Sequence, residues 1–130
     1  MSETKTRKIP APAITAETEA FWKGAAEGRF QLRRCTQCHE THWYPRAICP
    51  FCMGDTAWED ASGEGTIYSW TVMRRAPEPY AMAYVTLDAG PTMLADLVDM
   101  DLDGIAIGQR VKLVWSQSAG GPPVPSFTSA

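Results

Sequence analysis

CTQCHETHWYPRAICPFC, residues 35–52, holds all four cysteines of the chain as two Cys-x-x-Cys pairs, Cys35/Cys38 and Cys49/Cys52, with ten residues between them. A Cys-x-x-Cys pair sets two thiolates on one tight turn, and two such turns facing each other build the tetrahedral sulfur cage that zinc favours. A redox pair instead needs a low-pKa thiolate at a helix N-terminus in a βαβ setting, which neither pair has. Iron in a tetrathiolate cage uses the same sulfurs, so the ligand set by itself admits either metal, although nothing else in the chain points to electron transfer. Because four cysteines complete the coordination of a structural site, His39 and His42 read as surface histidines. The metal's binding free energy, on the order of 10–16 kcal/mol in small zinc modules, is then largely folding free energy.

The surroundings agree with a clasp. A chain of 130 residues, 45% hydrophobic and 21% charged, fits one or two small globular units, and its N-terminal third is poor in Ile, Val and Leu, so a metal would supply stability that a small apolar core lacks. The first residues, MSETKTRKIPAPAITAE, contain no apolar run of signal-peptide length, and no later segment has a run long enough to span a bilayer. A cytoplasmic location is therefore expected, where paired cysteines bind metal more often than they form disulfides.

Net charge is −3 and the pI about 5.3, so no global field is available to hold a polyanion. Positive charge is local. Arg29, Arg33, Arg34 and Arg46 surround the cysteines and Arg74 and Arg75 form a later pair, placed to neutralise a tetrathiolate or to meet a small phosphorylated ligand.

Outward from the clasp, residues 1–14 are polar and proline-punctuated and read as a mobile arm. Thr15 or Thr18 is positioned to N-cap a helix carrying Phe21, Trp22, Ala25 and Ala26, with Gly28 as its stop. Arg29 to Cys35 alternates as a strand feeding the first knuckle, which gives a helix and zinc ribbon over 15–60. Ser62-Gly63-Glu64-Gly65 reads as a hinge. From Thr66 the pattern is β: TIYSWTVMRR, YAMAYVTLD, TMLADLVDM and RVKLVWSQ, separated by Gly- and Pro-containing turns. The fold class is thus mainly β with an N-terminal helix, a zinc ribbon followed by an OB-fold barrel over 61–130. The tail AGGPPVPSFTSA is too rich in Pro and Gly for an interior strand, and Val124 to Thr128 adds at most a short edge.

Two further constellations fall short of a site. DMDLDG, Asp99 to Gly104, begins like a calcium loop, but Arg110 stands where the closing bidentate Glu belongs and the flanks read as strands. No serine or cysteine nucleophile has a base and an orienting acid, so no catalytic residue is assigned and an enzyme is not expected.

The combination FWKGAAEGRFQLRRCTQCHETHWYPRAICPFC, GEGTIYSWTVMRR, LADLVD and IGQRVKL, in that order over residues 20 to 115, closely resembles the DUF35 family of OB-fold, acyl-CoA-associated proteins. The resemblance implies a helix and rubredoxin-like zinc ribbon joined to an OB barrel, with zinc on Cys35, Cys38, Cys49 and Cys52. It implies a non-catalytic acyl-CoA-binding or scaffolding subunit that assembles with a thiolase-like, hydratase or aldolase enzyme acting on CoA thioesters. Phe21 and Trp22 belong to the helical region associated with acyl-CoA or partner contact. Arg46, Arg74 and Arg75 suit CoA phosphates, because guanidinium pairs with phosphate. The alternative is a single-stranded nucleic-acid-binding ribbon and OB module, against which the acidic pI counts. Two features depart from the family pattern: His39 stands where glycine is common, and the tail lacks a clear final strand, which predicts a barrel altered at that end or completed by a partner.

Overall fold

The computed structural model describes residues 8–130, so the first seven residues of the expected arm lie outside the described residues. Its elements in order are α1 (Glu19–Ala26), β1 (Gln31–Cys35), β2 (Thr41–His42), β3 (Thr56–Asp60), β4 (Glu64–Met73), β5 (Tyr80–Leu87), β6 (Thr92–Leu97), β7 (Arg110–Ser116) and β8 (Val124–Ser129). A three-stranded antiparallel sheet, β2-β1-β3, carries the cysteine knuckles, and a closed barrel in the order β4-β5-β6-β8-β7 follows. This is the expected architecture, mostly β with one short helix.

The helix is only eight residues long, and Thr18 sits at its N-cap without capping it. The Thr18 hydroxyl instead accepts the Thr15 amide at 3.1 Å. At the other end the stop is as expected: Gly28 has φ +79, its amide donates to Ala25 O at 2.9 Å and that of Arg29 to Gly24 O at 2.8 Å. That pair of bonds satisfies two terminal carbonyls and needs a left-handed residue, which glycine supplies without a Cβ clash. So short a helix is marginal alone and is held by packing: Phe21, Trp22, Gly24 and Ala25 are its buried residues.

Alternation builds the barrel. Ala81, Ala83, Val85 and Leu87 of β5 and Met93, Ala95 and Leu97 of β6 all face inward, as the period-two pattern requires. Ile67, Val111 and Phe127, from β4, β7 and β8, complete this buried set at 1% exposure or less.

The tail overturns the sequence expectation. Residues 124–129 are the closing strand and not an edge: β8 runs parallel to β6 and antiparallel to β7. Its Pro125 is tolerated for a local reason. Pairing with β6 involves Ser126 and Phe127, whereas Pro125 lies opposite Trp115 of β7, so the proline stands where the strand has one neighbour and its missing N–H interrupts no two-sided ladder.

The stretch read as a hinge is fastened. Gly63 has φ +81 and a Cβ there would lie 2.9 Å from Leu113 Cβ, while its carbonyl accepts the Leu113 amide at 2.8 Å. Ribbon and barrel also meet at Thr41, whose hydroxyl donates to Ala89 O at 3.1 Å. Residues 99–104 lie in the loop between β6 and β7, in a turn closed by Gly104 N–H to Asp101 O at 2.9 Å.

One aromatic cluster joins all three parts. Phe21 is fully buried, and its ring centroid lies 4.8 Å from Trp22, 5.2 Å from Trp43, 6.1 Å from Phe30 and 6.5 Å from Trp115 of β7. Most of these pairs are edge-to-face, the arrangement the ring quadrupole favours. We expect Phe21→Ala and Phe127→Ala each to lower unfolding free energy by about 3–5 kcal/mol, measured by urea denaturation. A loss below about 1 kcal/mol at Phe127 would contradict a closing β8.

Candidate metal centre

The two knuckles are built alike. The Cys35 amide donates to Glu40 O at 2.9 Å and the Cys49 amide to Gly54 O at 2.8 Å, the same five-residue step in each. The residue after each second cysteine is left-handed: His39 has φ 65 and Met53 φ 70. This explains what the sequence left open. The position following the knuckle calls for a positive φ, which glycine adopts freely and His39 adopts at a cost of about 1–2 kcal/mol.

The turns bring all four sulfurs within 4.8 Å of one another. Cys35 Sγ lies 3.4 Å from Cys52 Sγ and Cys38 Sγ 3.7 Å from Cys49 Sγ. A tetrahedral zinc with Zn–S bonds of about 2.3 Å sets sulfur–sulfur edges near ~3.8 Å, so the cage fits one ion. The amides of Gln37 and Cys38 both donate to Cys35 Sγ at 3.3 Å, and that of Phe51 donates to Cys49 Sγ at 3.3 Å.

These bonds polarise the set. The Cys38 amide, and after it the opposing effect of burial and the help of the Gln37 amide, pulls the Cys35 thiol down to about 6. At Cys38 the Glu40 amide favours the thiolate, but burial and the neighbouring sulfurs of Cys35, Cys52 and Cys49 outweigh it and push the thiol up to about 12. Four adjacent sulfurs do not ionise together unless a cation compensates them, and a divalent metal does so. Cys35, Cys38, Cys49 and Cys52 would hold it, and its contribution there is to fold the ribbon.

Around the cage the arginines have other work. Arg34 grips Glu59 through Nε and Nη2 at 3.0 and 2.9 Å and donates to His39 O at 2.7 Å. Arg33 donates to Thr56 O at 2.8 Å and stacks on Trp58 at 4.5 Å. Arg29 pairs with Glu27 at 3.0 Å. None of the hydrogen bonds found among the described residues runs from a guanidinium to a sulfur.

His42 departs from its reading as a surface residue. It is 4% exposed and its Nε2 accepts the Arg46 amide at 3.0 Å, so burial first, then the Arg46 and Arg33 charges, hold its pKa below the usual imidazole value. His39 is exposed as expected.

The residues considered for ligand contact lie apart. Phe21 and Trp22 are buried, and Trp22 Nε1 donates to Tyr44 Oη at 2.8 Å. Exposed Arg46 borders a cleft of about 340 Å³ with His42, Trp43, Tyr44, Thr15 and Thr18. Arg74 is bound to Asp103 at 2.9 Å, and Arg75 is exposed on the β4–β5 turn. A larger cavity of about 540 Å³ opens at the barrel end between Trp115, Met100, Leu102 and Tyr80, with Asp96 and Asp99 in its wall. Sequence reasoning passed over Trp43, Tyr44 and Trp115; their signal was aromatic density flanking the cysteines and closing a strand.

With this geometry in view, the comparisons with known proteins agree. The ChsH2 rubredoxin-like zinc ribbon domain matches residues 22–59 and the ChsH2 C-terminal OB-fold domain matches 58–116. A DUF35 domain-containing scaffold protein of Methanothermobacter thermautotrophicus is 32% identical over 78% of this chain and 84% of its own length. The chain belongs to the DUF35 family. It is also 31% identical, over 93% of its length, to a probable enoyl-CoA hydratase alpha subunit of Thermomonospora curvata, of which it spans 40%. Among solved structures, a chain of an Ltp2-ChsH2(DUF35) aldolase superposes with TM-score 0.81 at 30% identity, covering 91% of this chain and 98% of that one. A DUF35 protein of Sulfolobus solfataricus shares the fold at 14% identity and TM-score 0.67. No helix among the described residues is long and apolar enough to cross a membrane.

Two outcomes test the centre. The purified protein is expected to carry one zinc per chain by metal analysis, and Cys49→Ser to lose it together with ribbon structure; iron in its place, with a coloured protein, would overturn the assignment. His39→Gly is expected to keep the zinc and to raise unfolding free energy by up to about 1 kcal/mol. Loss of metal in that variant would mean that the imidazole takes part in binding.

Proposed function

We propose that this chain is a non-catalytic accessory subunit that assembles with a thiolase-like, hydratase or aldolase enzyme acting on CoA thioesters, holding that complex together or contacting its acyl-CoA. The observation that carries the reading is the similarity along nearly the whole of a chain from an Ltp2-ChsH2(DUF35) aldolase. Relatives described as scaffold proteins support it. So does the metal centre's chemistry: a closed cage of four cysteines keeps no open position for a substrate or water.

Acyl-CoA contact, within this reading, falls to the Arg46 cleft. Its lining brings exposed Arg46 together with Trp43 and Tyr44, a phosphate partner combined with aromatic faces for adenine. Phe21 and Trp22 act through position, as the buried side of the helix that borders the same region. Among the described residues the barrel-end cavity is lined by Asp96 and Asp99 and by no Lys or Arg, so it suits an uncharged acyl arm better than a phosphate.

Affinity purification of the tagged full chain from its host, with metal analysis of the same sample, tests the proposal. A stoichiometric CoA-thioester enzyme is the expected companion, and a CoA ester is expected to raise the melting temperature of the complex. Arg46→Ala should weaken that CoA effect about tenfold, the worth of one charge-assisted hydrogen bond. Recovery of single-stranded nucleic acid, with no CoA enzyme and no response to CoA esters, would overturn the reading.

A further inference from the structure

Strand β4 outruns its neighbour. It pairs with β5 along its length, from Gly65 to Met73, but with β7 only at Glu64, Gly65 and Thr66. The last bonds on that side are Ile67 N–H to Gln109 O and Gly108 N–H to Ile67 O, both 2.9 Å. Beyond a bulge between Ile67 and Ser69, no backbone hydrogen bond found among the described residues joins Tyr68–Met73 to anything but β5. Alternate amides and carbonyls of this segment therefore face outward in a row.

The side chains make that edge more conspicuous. Tyr68 is 67% exposed, Trp70 40% and Met73 43%, and Ile107, beside the point where β7 departs, is 71% exposed. From Ile67 to Met73 the sequence IYSWTVM contains no charge and no proline. Edges that must stay free are blunted with Lys, Pro or inward charges, and an uncharged, β-prone run of this length left open is an aggregation site. Only the bulge interrupts it.

We propose that the open edge of β4, Tyr68–Met73, receives an extended strand of the CoA-thioester enzyme, adding it to the barrel sheet by main-chain hydrogen bonds, with an acidic residue of that strand paired to Arg75. Strand addition suits an edge that offers donors and acceptors with pockets for alternate side chains. Charge selects the occupant. Arg74 is already bound to Asp103, whereas exposed Arg75 has no ion pair among the described residues. A second copy of this chain laid antiparallel over residues 68–73 would set Arg75 opposite Thr66, which has no charge, so a partner strand with a carboxylate at that end is the better complement.

The proposal rests on the accessory-subunit reading, and its test separates the two. The complex of full-length chain and co-purified enzyme is compared with Tyr68→Lys, Trp70→Lys and, on the outer barrel face, Leu94→Lys, each checked for zinc content and melting temperature. Tyr68→Lys and Trp70→Lys are expected to weaken the complex at least tenfold and Leu94→Lys less than twofold, while amides within 68–73 exchange at least tenfold more slowly in the wild-type complex than in the free chain. Unchanged affinity and unprotected amides in an intact complex would overturn the edge proposal and leave the subunit reading standing. Protection of the same amides in a self-associated form of the chain alone would name the second copy as occupant and overturn it as well. Failure of any CoA enzyme to bind the wild type would overturn both.

Discussion

The Phe21 ring is the contact on which the rest of the molecule depends. It comes from a helix of eight residues that could not persist alone, and it is surrounded by rings from the ribbon, Phe30 and Trp43, and from the barrel, Trp115. Burying a side chain of this size contributes a few kcal/mol, and the edge-to-face geometry adds to it. Because one ring touches three elements, the helix orders only when ribbon and barrel are both in place. The small modules are thereby fixed to one another, a bond that Thr41 and Gly63 reinforce.

The ribbon itself has a different source of stability. Its sheet has one strand of two residues and two of five, too little to stand on apolar burial. Four sulfurs within 4.8 Å of one another would let a metal close it. The surrounding arginines turn out to be structural: Arg34 and Arg33 tie β1 to β3 through Glu59, Thr56 and Trp58. Charge near a metal site thus served the sheet carrying the site, while Arg46 borders a cleft.

How much was legible follows from the range of each signal. The knuckles, the helix stop at Gly28 and the inward alternation of β5 and β6 depend on neighbours close in sequence, so spacing and residue type disclosed them. Thr18 was misjudged as a cap because its hydroxyl had a competing partner in the Thr15 amide. His42 was misjudged because its burial depends on a backbone amide four residues on, met only after the chain turns. The tail was misjudged because its proline is harmful only in a strand paired on both sides at that residue, and β6 joins β8 one residue later.

The sequence by itself determined the paired cysteines that cluster in the ribbon, the order of ribbon and barrel, and the family to which the chain belongs, because cysteine spacing and residue periodicity are local properties that no packing alters. Tertiary structure decided which surfaces remain for other molecules. It withdrew Phe21 and Trp22 into the core, paired Arg74 with Asp103, made a proline-rich tail the barrel's closing strand, and left one edge of β4 unpaired beyond Ile67. Each of these outcomes depends on strand lengths and pairings summed around a closed barrel, a constraint that no single stretch of sequence carries.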